Sequence, residues 1–233
     1  GLGDVYKRQI DPFIGSSPVR VAETIARLYA GGELFLHIGV TLYETVLGFV
    51  LGTAAGTLIA VALWWSPALN RVLDPYLVVL NALPKIALGP ILIVWFGAGI
   101  TSIIVMALLI SFVVTIMSVL AGFNEITGEK QLLMKTLGAS KLQIFTMVVL
   151  PASLPTIMNA LKISVGMSWV GVIVGEYLVS KAGLGYLIVY GGQVFKLDLV
   201  MASIVVLCLL AALMYYGVAY MEKKLVKWRM HGG

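Results

Sequence analysis

The sequence predicts an all-α protein that crosses a lipid membrane several times. Of its 233 residues, 60% are hydrophobic and only 12% are charged, whereas soluble domains carry about 25% charged residues. Long runs hold no charged residue, and none of them alternates apolar and polar residues with a period of two. Because backbone groups in lipid must bond within the chain, such runs indicate helices rather than barrel strands.

Five membrane-spanning helices are predicted from runs that are long enough to cross the hydrocarbon core. About 20 mostly apolar residues cross a core of roughly 30 Å. The predicted spans are residues 45–65, 75–96, 100–123, about 153–179 and 199–221. Pro84 precedes Lys85 inside the second of these, so we expect that helix to be broken there.

Three further segments lie between or outside the spans. Residues 18–37 have the pattern of an amphipathic helix at the membrane surface, with Val21 and Ile25 on one face and Arg20 and Glu23 on others. Residues 183–195 are apolar and Gly-rich but too short to cross. Residues 125–151 form the longest polar connection, and their apolar residues recur at helical spacing.

The basic residues predict the orientation. Lys and Arg are enriched in cytoplasmic loops, and eight lie on one side of the predicted spans against four on the other. The first side holds Arg71, Lys130, Lys135, Lys141, Lys223, Lys224, Lys227 and Arg229, and the second holds Arg20, Arg27, Lys181 and Lys196. We therefore expect the 125–151 loop and the C-terminus to be cytoplasmic, with residues 183–195 facing outward.

The expected domain organisation follows from these assignments. Residues 1–37 are interpreted as an N-terminal remnant followed by the amphipathic helix at the outer face, and residues 38–229 as one transmembrane domain that includes the 125–151 loop. Residues 1–9 are polar and lack the apolar region of a signal peptide. Because five spans leave the N-terminus outside, we expect six spans in the intact subunit.

The 125–151 loop is the segment most informative about function. Two short amphipathic helices are predicted around Gly138, Ala139 and Ser140, where glycine permits the positive φ that ends a helix. Pro151 and Pro155 are expected to open the next span, where a missing N–H costs little. The loop has no catalytic side chains, so its apolar face is suited to a groove on a partner protein.

Charged residues within the spans are candidates for a transport path. Lys85 and nearby Asn81 lie at the predicted break, and a broken helix that lines a cavity is what a transport path needs. Lys85 could equally form a buried ion pair. Glu176, near the end of the fourth span, is a candidate for the path or a gate.

Glycines at a spacing of four residues predict close helix packing rather than solute contact. Gly48, Gly52 and Gly56 form one such stripe, and Gly171 and Gly175 form another.

Other classes of function are disfavoured. The basic residues form no stripe interleaved with aromatic residues, so we expect no nucleic acid partner despite the net charge of +5. The single Cys208 and the isolated His37 and His231 suggest no metal, cofactor or acid–base site. The chain has neither an H-E-x-x-H nor a G-x-S-x-G motif, and no G-x-x-x-x-G-K-[ST] phosphate loop. We therefore expect a protein that is not itself an enzyme.

The loop resembles that of permease subunits in bacterial binding-protein-dependent ABC importers of the nitrate, sulfonate, taurine and bicarbonate group. Their loop has the form E-A-A-x-x-x-G-x9-I-x-L-P. Here Gly138 matches the glycine, Val148 replaces isoleucine, and Leu150-Pro151 match the last two positions. The chain departs from the pattern where Leu132-Leu133-Met134 replace E-A-A, and where Glu44 stands in place of a frequent arginine.

Four other stretches are similar to the same group, and the resemblance covers residues 14–229. They are Leu73-Asp74-Pro75, Trp95-Phe96-Gly97, Leu137-Gly138-Ala139-Ser140 and Gly183-Leu184-Gly185-Tyr186-Leu187.

The resemblance implies a subunit of the bacterial plasma (inner) membrane that works as a homodimer. A separate ATPase subunit would bind the loop through Leu133, Leu137, Gly138, Ala139, Leu142, Leu150 and Pro151. An extracytoplasmic substrate-binding protein would deliver a small solute such as a sulfonate-, nitrate- or taurine-like anion. The alternative is a secondary transporter or channel subunit, which should show inverted repeats or a chain of ionisable groups inside the membrane.

Overall fold

The computed structural model describes residues 16–126 and 128–230, with side chains up to residue 225. All regular elements in this part of the chain are helices, which confirms the predicted all-α class. In chain order they are α1 (Pro18–Ala30), α2 (Glu33–Trp65), α3 (Pro67–Ala82), α4 (Gly89–Phe96), α5 (Ile100–Asn124), α6 (Gly128–Thr136), α7 (Lys141–Ile144), α8 (Leu150–Val179), α9 (Leu184–Gln193) and α10 (Leu197–Met230). A 3₁₀ turn, Lys85–Leu88, precedes α4, and a π-helical turn, Phe145–Val149, joins α7 to α8.

The membrane-spanning helices agree with the predicted set. Four continuous stretches are long and apolar enough to cross a membrane, namely Glu33–Trp65, Ile100–Asn124, Lys141–Val179 and Leu197–Leu225. A fifth crossing is formed by Pro67–Ala82 and Lys85–Phe96, which are bent by 84° where they meet. The described residues therefore contain five crossings when the bent pair counts as one, and the break falls beside Pro84 as predicted.

Several predicted boundaries are wrong, among them the start of the first span, whose helix begins at Glu33 rather than at residue 45. The amphipathic helix does not reach His37: it ends at Ala30, because Gly32 adopts a left-handed φ of 74° and α2 begins at Glu33. The second span begins at Pro67 rather than Pro75, because the Ser66 hydroxyl caps the new helix by accepting a hydrogen bond from the N–H of Leu69 at 3.3 Å.

A last boundary concerns the prolines after the loop. Pro151 lies in the first turn of α8, as predicted, whereas Pro155 lies inside that helix instead of opening it, and the helical path is continuous from Lys141 to Val179. The π-helical turn lies directly before Pro151. Such a turn changes the backbone hydrogen-bond pattern where proline lacks a donor, so the helix can continue.

The centre of the fold is α5, which lies between α2 and α8. A β-carbon at Gly48 would lie 2.6 Å from the Ala107 β-carbon, and one at Gly56 would lie 2.8 Å from that of Thr115. On the other side of α5, a β-carbon at Gly175 would lie 2.9 Å from the Ile103 side chain. The predicted role of the glycine stripes in close packing is therefore confirmed.

Polar groups reinforce the contact between α5 and α8. The hydroxyls of Thr115 and Ser164 are 2.8 Å apart and both are buried. The hydroxyl of Ser153 donates to the carbonyl of Gly122 at 2.9 Å. Hydrogen bonds between helices add to packing in lipid, where apolar side chains gain little by leaving the solvent.

The bundle has two ends. At the loop end, α2 and α5 finish, α6 and α7 form the connection, and Lys162 of α8 pairs with Glu222 of α10 at 2.9 Å. At the α9 end, α2 begins, α8 finishes, and α1 and α9 lie across the termini of the long helices.

Replacing Gly171 with alanine should destabilise the bundle. The new β-carbon would lie 2.5 Å from Cα and 3.0 Å from N of Ala107, and backbone atoms cannot yield as a flexible side chain can. Overpacking of this kind costs about 1–3 kcal/mol. Thermal unfolding of the purified protein in detergent measures the change.

Gly166→Ala is the matched control, because it lies on the same helix and its β-carbon would meet no atom within 4 Å. It should leave the unfolding temperature unchanged or slightly higher, since alanine favours helix. Equal unfolding temperatures for the two variants would contradict the packing described here.

Candidate functional site

The loop between α5 and α8 contains two short helices joined at Gly138. Gly138 has a φ of 80°, so the positive φ predicted for this position is confirmed. After α6 the chain turns back towards the last helical turn. The N–H of Ala139 donates to the carbonyl of Met134 at 3.0 Å, and the N–H of Gly138 donates to the carbonyl of Lys135 at 3.0 Å. This pattern ends a helix and satisfies its last carbonyls.

Ser140 starts α7 through a capping box that our sequence reasoning missed. Its hydroxyl accepts from the N–H of Gln143 at 3.3 Å, and the Gln143 side chain accepts from the N–H of Ser140 at 2.7 Å. The signal was present as S-x-x-Q, which marks a helix start when a turn precedes it. The direction in which α7 leaves the turn is thereby fixed.

The loop presents apolar side chains at its surface. Leu133, Leu137 and Leu142 are 61%, 73% and 58% exposed. Leu150 is also exposed, whereas Pro151 is half-buried and Ala139 packs against the core. Of the predicted contact residues, the leucines thus face outward and Ala139 attaches the loop to the bundle.

Buried aromatic residues anchor the loop to the long helices. Phe145, in the π-helical turn, is buried, and its ring centroid lies 5.0 Å from that of Trp64 and 5.4 Å from that of Phe123. These contacts join the end of α2, the end of α5 and the start of α8. A displacement of the loop would therefore be transmitted to three membrane helices.

Lys141 forms a second anchor, which our sequence analysis counted only as a positive charge. Its Nζ donates to the carbonyl of Trp65 at 2.5 Å and lies 5.6 Å and 5.5 Å from the ring centroids of Trp64 and Trp65. The carbonyl is one of those left without a helical partner at the end of α2. The side chain thus ties the start of α7 to the end of α2.

The broken span places Asn81 and Lys85 together. The Lys85 Nζ donates to the carbonyl of Asn81 at 3.1 Å, next to the break after Ala82. Asn81 is exposed and Lys85 is half-buried. The ion pairs among the described residues are Arg20–Asp198 and Lys162–Glu222. Lys85 has no carboxylate partner among them, so the interpretation of Lys85 as part of a buried ion pair is wrong.

Glu176 lies inside the subunit rather than beside Lys85. It is 1% exposed and accepts hydrogen bonds from the Thr41 hydroxyl at 2.6 Å and from the N–H groups of Gly185 and Tyr186 at 2.5 Å and 3.3 Å. The carboxyl thus holds the first turn of α9, where N–H groups have no helical partner. Its assignment to the path stays a prediction.

Two neighbours on α2 complete this attachment. The Nδ1 of His37 accepts from the N–H of Gly183 at 2.9 Å, and the Thr41 hydroxyl accepts from that of Leu184 at 2.8 Å. No local sequence pattern joins residues 37 and 183, because the contact spans 146 positions. His37 therefore has a structural role at the α9 end.

A cavity of about 870 Å³ opens at the α9 end, between α1, the start of α2 and α9. Its charged lining has four basic residues, Arg20, Arg27, Lys181 and Lys196, against two acidic ones, Glu33 and Asp198. The excess of positive charge favours an anion over a cation in this cavity. Within the described residues, no group of three or more His, Cys, Asp or Glu side chains is arranged to hold a metal ion.

Long helices packed through glycines, a broken span and an anchored loop with an apolar surface define a multi-pass transport component of the membrane. The chain belongs to the family of binding-protein-dependent transport system inner membrane components. The sequence pattern of this family matches residues 48–227. The resemblance drawn from the loop motif is thereby confirmed.

Individual relatives agree with this assignment. A formylaminopyrimidine transport permease protein, ThiX of Halalkalibacterium halodurans, is 30% identical, with 98% of this chain and 91% of the relative covered. The taurine transport system permease protein TauC of Escherichia coli is 28% identical, with 96% and 82% covered. An inward-facing structure of the MetNI methionine ABC transporter shares the fold, with a TM-score of 0.66, 21% identity and coverage of 80% and 91%.

Family membership determines the general function. The chain is the membrane-spanning permease subunit of an ATP-driven importer of the inner membrane, and it is not an enzyme, because ATP hydrolysis belongs to a separate subunit. Its partners are an ATPase and a substrate-binding protein. The alternative of a secondary transporter or channel subunit is therefore excluded.

Lys141→Ala should loosen the start of α7. Losing a charged hydrogen bond at an exposed site removes about 1 kcal/mol of local stability, which corresponds to roughly fivefold faster amide exchange in the loop. Hydrogen–deuterium exchange of α7 and the π-helical turn measures the change. Lys135→Ala is the control, since Lys135 lies in the same loop and is exposed; equal exchange in both variants would show that Lys141 anchors nothing.

Proposed function

We propose that two copies of this chain form the translocation path for a small anion, such as a sulfonate, nitrate or taurine, and that the α6–α7 loop is the docking site for the ATPase. The observation that carries the proposal is the combination of exposed leucines on the loop with buried anchors behind them. The first feature suits a protein partner, and the second passes a movement of that partner to the membrane helices.

In the proposed docking, one set of loop residues contacts the ATPase and a second set connects these residues to α8. Leu133, Leu137 and Leu142 are largely exposed, and apolar side chains clustered at a membrane face gain stability from burial in a partner's groove. Gly138 sets the angle between α6 and α7, while Ala139, Leu150 and Pro151 connect the docking surface to α8. Closure of the ATPase subunits would then tilt α8 together with the loop.

The orientation follows from the ATPase, which requires the loop and the C-terminus to lie in the cytoplasm. The Lys and Arg count supports this, because the loop end carries the larger share of basic residues. The α9 end then faces outward, where the binding protein delivers solute. Residues 38–229 act as one transmembrane domain in this proposal, with α1 at the outer surface.

A homodimer is supported by the position of Lys85. A charged lysine that faces lipid at the centre of the bilayer costs about 2.5–3.5 kcal/mol on insertion scales. Asn81 and Lys85 lie at a break whose neighbouring helices, α3 and α4, expose many apolar residues. A second copy packed against this face would enclose both polar residues in a shared path.

Asn81 and Lys85 are proposed to line that path, and Glu176 to join it when α9 moves. In the present conformation the Glu176 carboxyl is enclosed by α2 and α9. Exposing it would require the first turn of α9 to give up its hydrogen bonds. We therefore propose that Glu176 belongs to an outer gate rather than to an open path.

The cargo class is supported by charge and by one relative. The cavity at the α9 end has more basic than acidic residues, and the TauC relative is described as a taurine permease. The ThiX relative, described as a formylaminopyrimidine permease, favours a second candidate, a heterocyclic vitamin precursor. Uptake of labelled taurine and of a labelled formylaminopyrimidine, each measured with an excess of the other solute, decides between the anion and the vitamin precursor.

Gly138→Val tests the docking proposal. A β-branched residue at a φ of 80° is strained, and strain of this kind costs about 1–3 kcal/mol. That cost is small against a five-span bundle but enough to misplace α7 relative to α6. We expect normal insertion, weaker co-purification with the ATPase, and loss of most ATP-driven uptake in proteoliposomes.

Gly128→Val is the matched control, because Gly128 is exposed in the same loop and its φ lies outside the left-handed region. It should retain ATPase association and uptake. Full uptake by Gly138→Val would mean that the loop is a passive connector.

A further inference from the structure

Two carboxyl groups meet inside the membrane-spanning part of the chain. Glu44 of α2 is 0% exposed and Glu176 of α8 is 1% exposed. The two side chains lie within hydrogen-bonding reach of each other and interact electrostatically. Thr41, one helical turn before Glu44, is bonded to Glu176 at 2.6 Å, which places the same face of α2 against this carboxyl.

The partners of the two carboxyls differ. Glu176 accepts from one hydroxyl and from two backbone N–H groups of α9, whereas neither oxygen of Glu44 has a donor. Among the described residues, no lysine or arginine pairs with either carboxyl. The side chain of Glu44 is thus a buried, unpartnered polar group directed at a second carboxyl.

Two adjacent carboxylates cannot both be ionised away from water unless a positive charge lies between them. Burial disfavours each charge, and the like charge of the neighbour adds repulsion. A buried charge without a partner destabilises a fold strongly. A proton shared by the two carboxyls would supply Glu44 with its missing hydrogen bond, and a small cation would serve the same purpose through its charge.

We propose that Glu44 and Glu176 together form a binding site for one positive charge, a proton or a monovalent cation such as Na⁺, within the membrane-spanning core. The site holds in place the element that closes the α9 end. A side chain on Gly185 would lie 2.8 Å from the Glu176 carboxyl oxygen, so the first turn of α9 rests directly on this group. Loss of the bound charge would push the carboxyls apart and weaken the attachment of α9 to α2 and α8.

Other titratable side chains lie on the elements around the pair and must be separated from it. At this end of the bundle α1 carries Arg20, Glu23, Arg27 and Tyr29, and α2 carries Glu33, His37 and Tyr43. Tyr177 lies on α8, Lys181 before α9, Tyr186 and Tyr190 on α9, Lys196 before α10 and Asp198 on α10, whereas α4 and α5 carry none. His37 bonds the N–H of Gly183, so acid could disturb the same turn. The test therefore uses alkaline conditions and variants that keep all of these groups.

The experiment follows thermal unfolding of the subunit in detergent, from about pH 7.5 to about pH 10, with either Na⁺ or the bulky cation N-methylglucamine. In the unfolded chain both carboxyls ionise freely near neutral pH. If the folded pair keeps a proton, the folded state binds more protons than the unfolded state, so stability falls as the pH rises. We expect the unfolding temperature of the wild type to fall by roughly 5 °C more than that of the variants.

Glu44→Gln and Glu44→Met are the variants. Glutamine can donate to the Glu176 carboxylate, and methionine fills a similar volume without a polar group. Two variants are used so that thermal unfolding can still be measured on one of them if the other does not fold. Both should be at least as stable as the wild type at alkaline pH and should lose the excess dependence on pH and Na⁺.

The outcomes are distinct. Excess pH dependence in both buffers identifies a proton, and stabilisation of the wild type by Na⁺ alone identifies a cation site. The same dependence in the wild type and Glu44→Met would overturn the proposal, as would lower stability of both variants at every pH. Because unfolding involves no ATPase and no solute, failure of this proposal is separate from failure of the proposed function.

Discussion

The close approach of α2 and α8 to α5 holds the membrane-spanning core together. In lipid, apolar side chains gain little by leaving their solvent, so helices associate through tight packing and buried hydrogen bonds. Gly48, Gly171 and Gly175 permit that approach, because a β-carbon at each would overlap Ala107 or Ile103. The three long helices thereby form one unit, and the broken span and α10 pack around it.

This unit has a different attachment at each end. At the loop end, Phe145 and Lys141 bind the loop to the ends of α2 and α5. At the α9 end, Thr41 and Glu176 bind the first turn of α9 through hydrogen bonds between α2, α8 and α9. A movement imposed on the loop can therefore reach α9 through the same helices, which is the connection that an importer needs between ATP hydrolysis and an outer gate.

Much of the fold could be predicted from the sequence, because length and composition are strong constraints in lipid. The five crossings, the break beside Pro84, the packing role of the glycines and the left-handed Gly138 all followed from local residue chemistry. The errors concern continuity: Pro75 and Pro155 were taken to begin helices, whereas these helices begin earlier, at Pro67 and Leu150, and continue through both prolines. The contacts of Lys141 with Trp65 and of Glu44 with Glu176 join positions far apart in the chain, so no local pattern could reveal them.

Docking of an ATPase requires the exposed loop to lie in the cytoplasm, so the side of the membrane on which the loop lies tests the proposed coupling. Leu137→Cys and Lys181→Cys, each in a Cys208→Ser background, place one thiol on the exposed part of the loop and one beside α9. An impermeant maleimide should label only the Lys181→Cys variant in intact spheroplasts, and the Leu137→Cys variant only after permeabilisation. Labelling of Leu137→Cys in intact spheroplasts would place the loop outside the cytoplasm and rule out ATPase docking there.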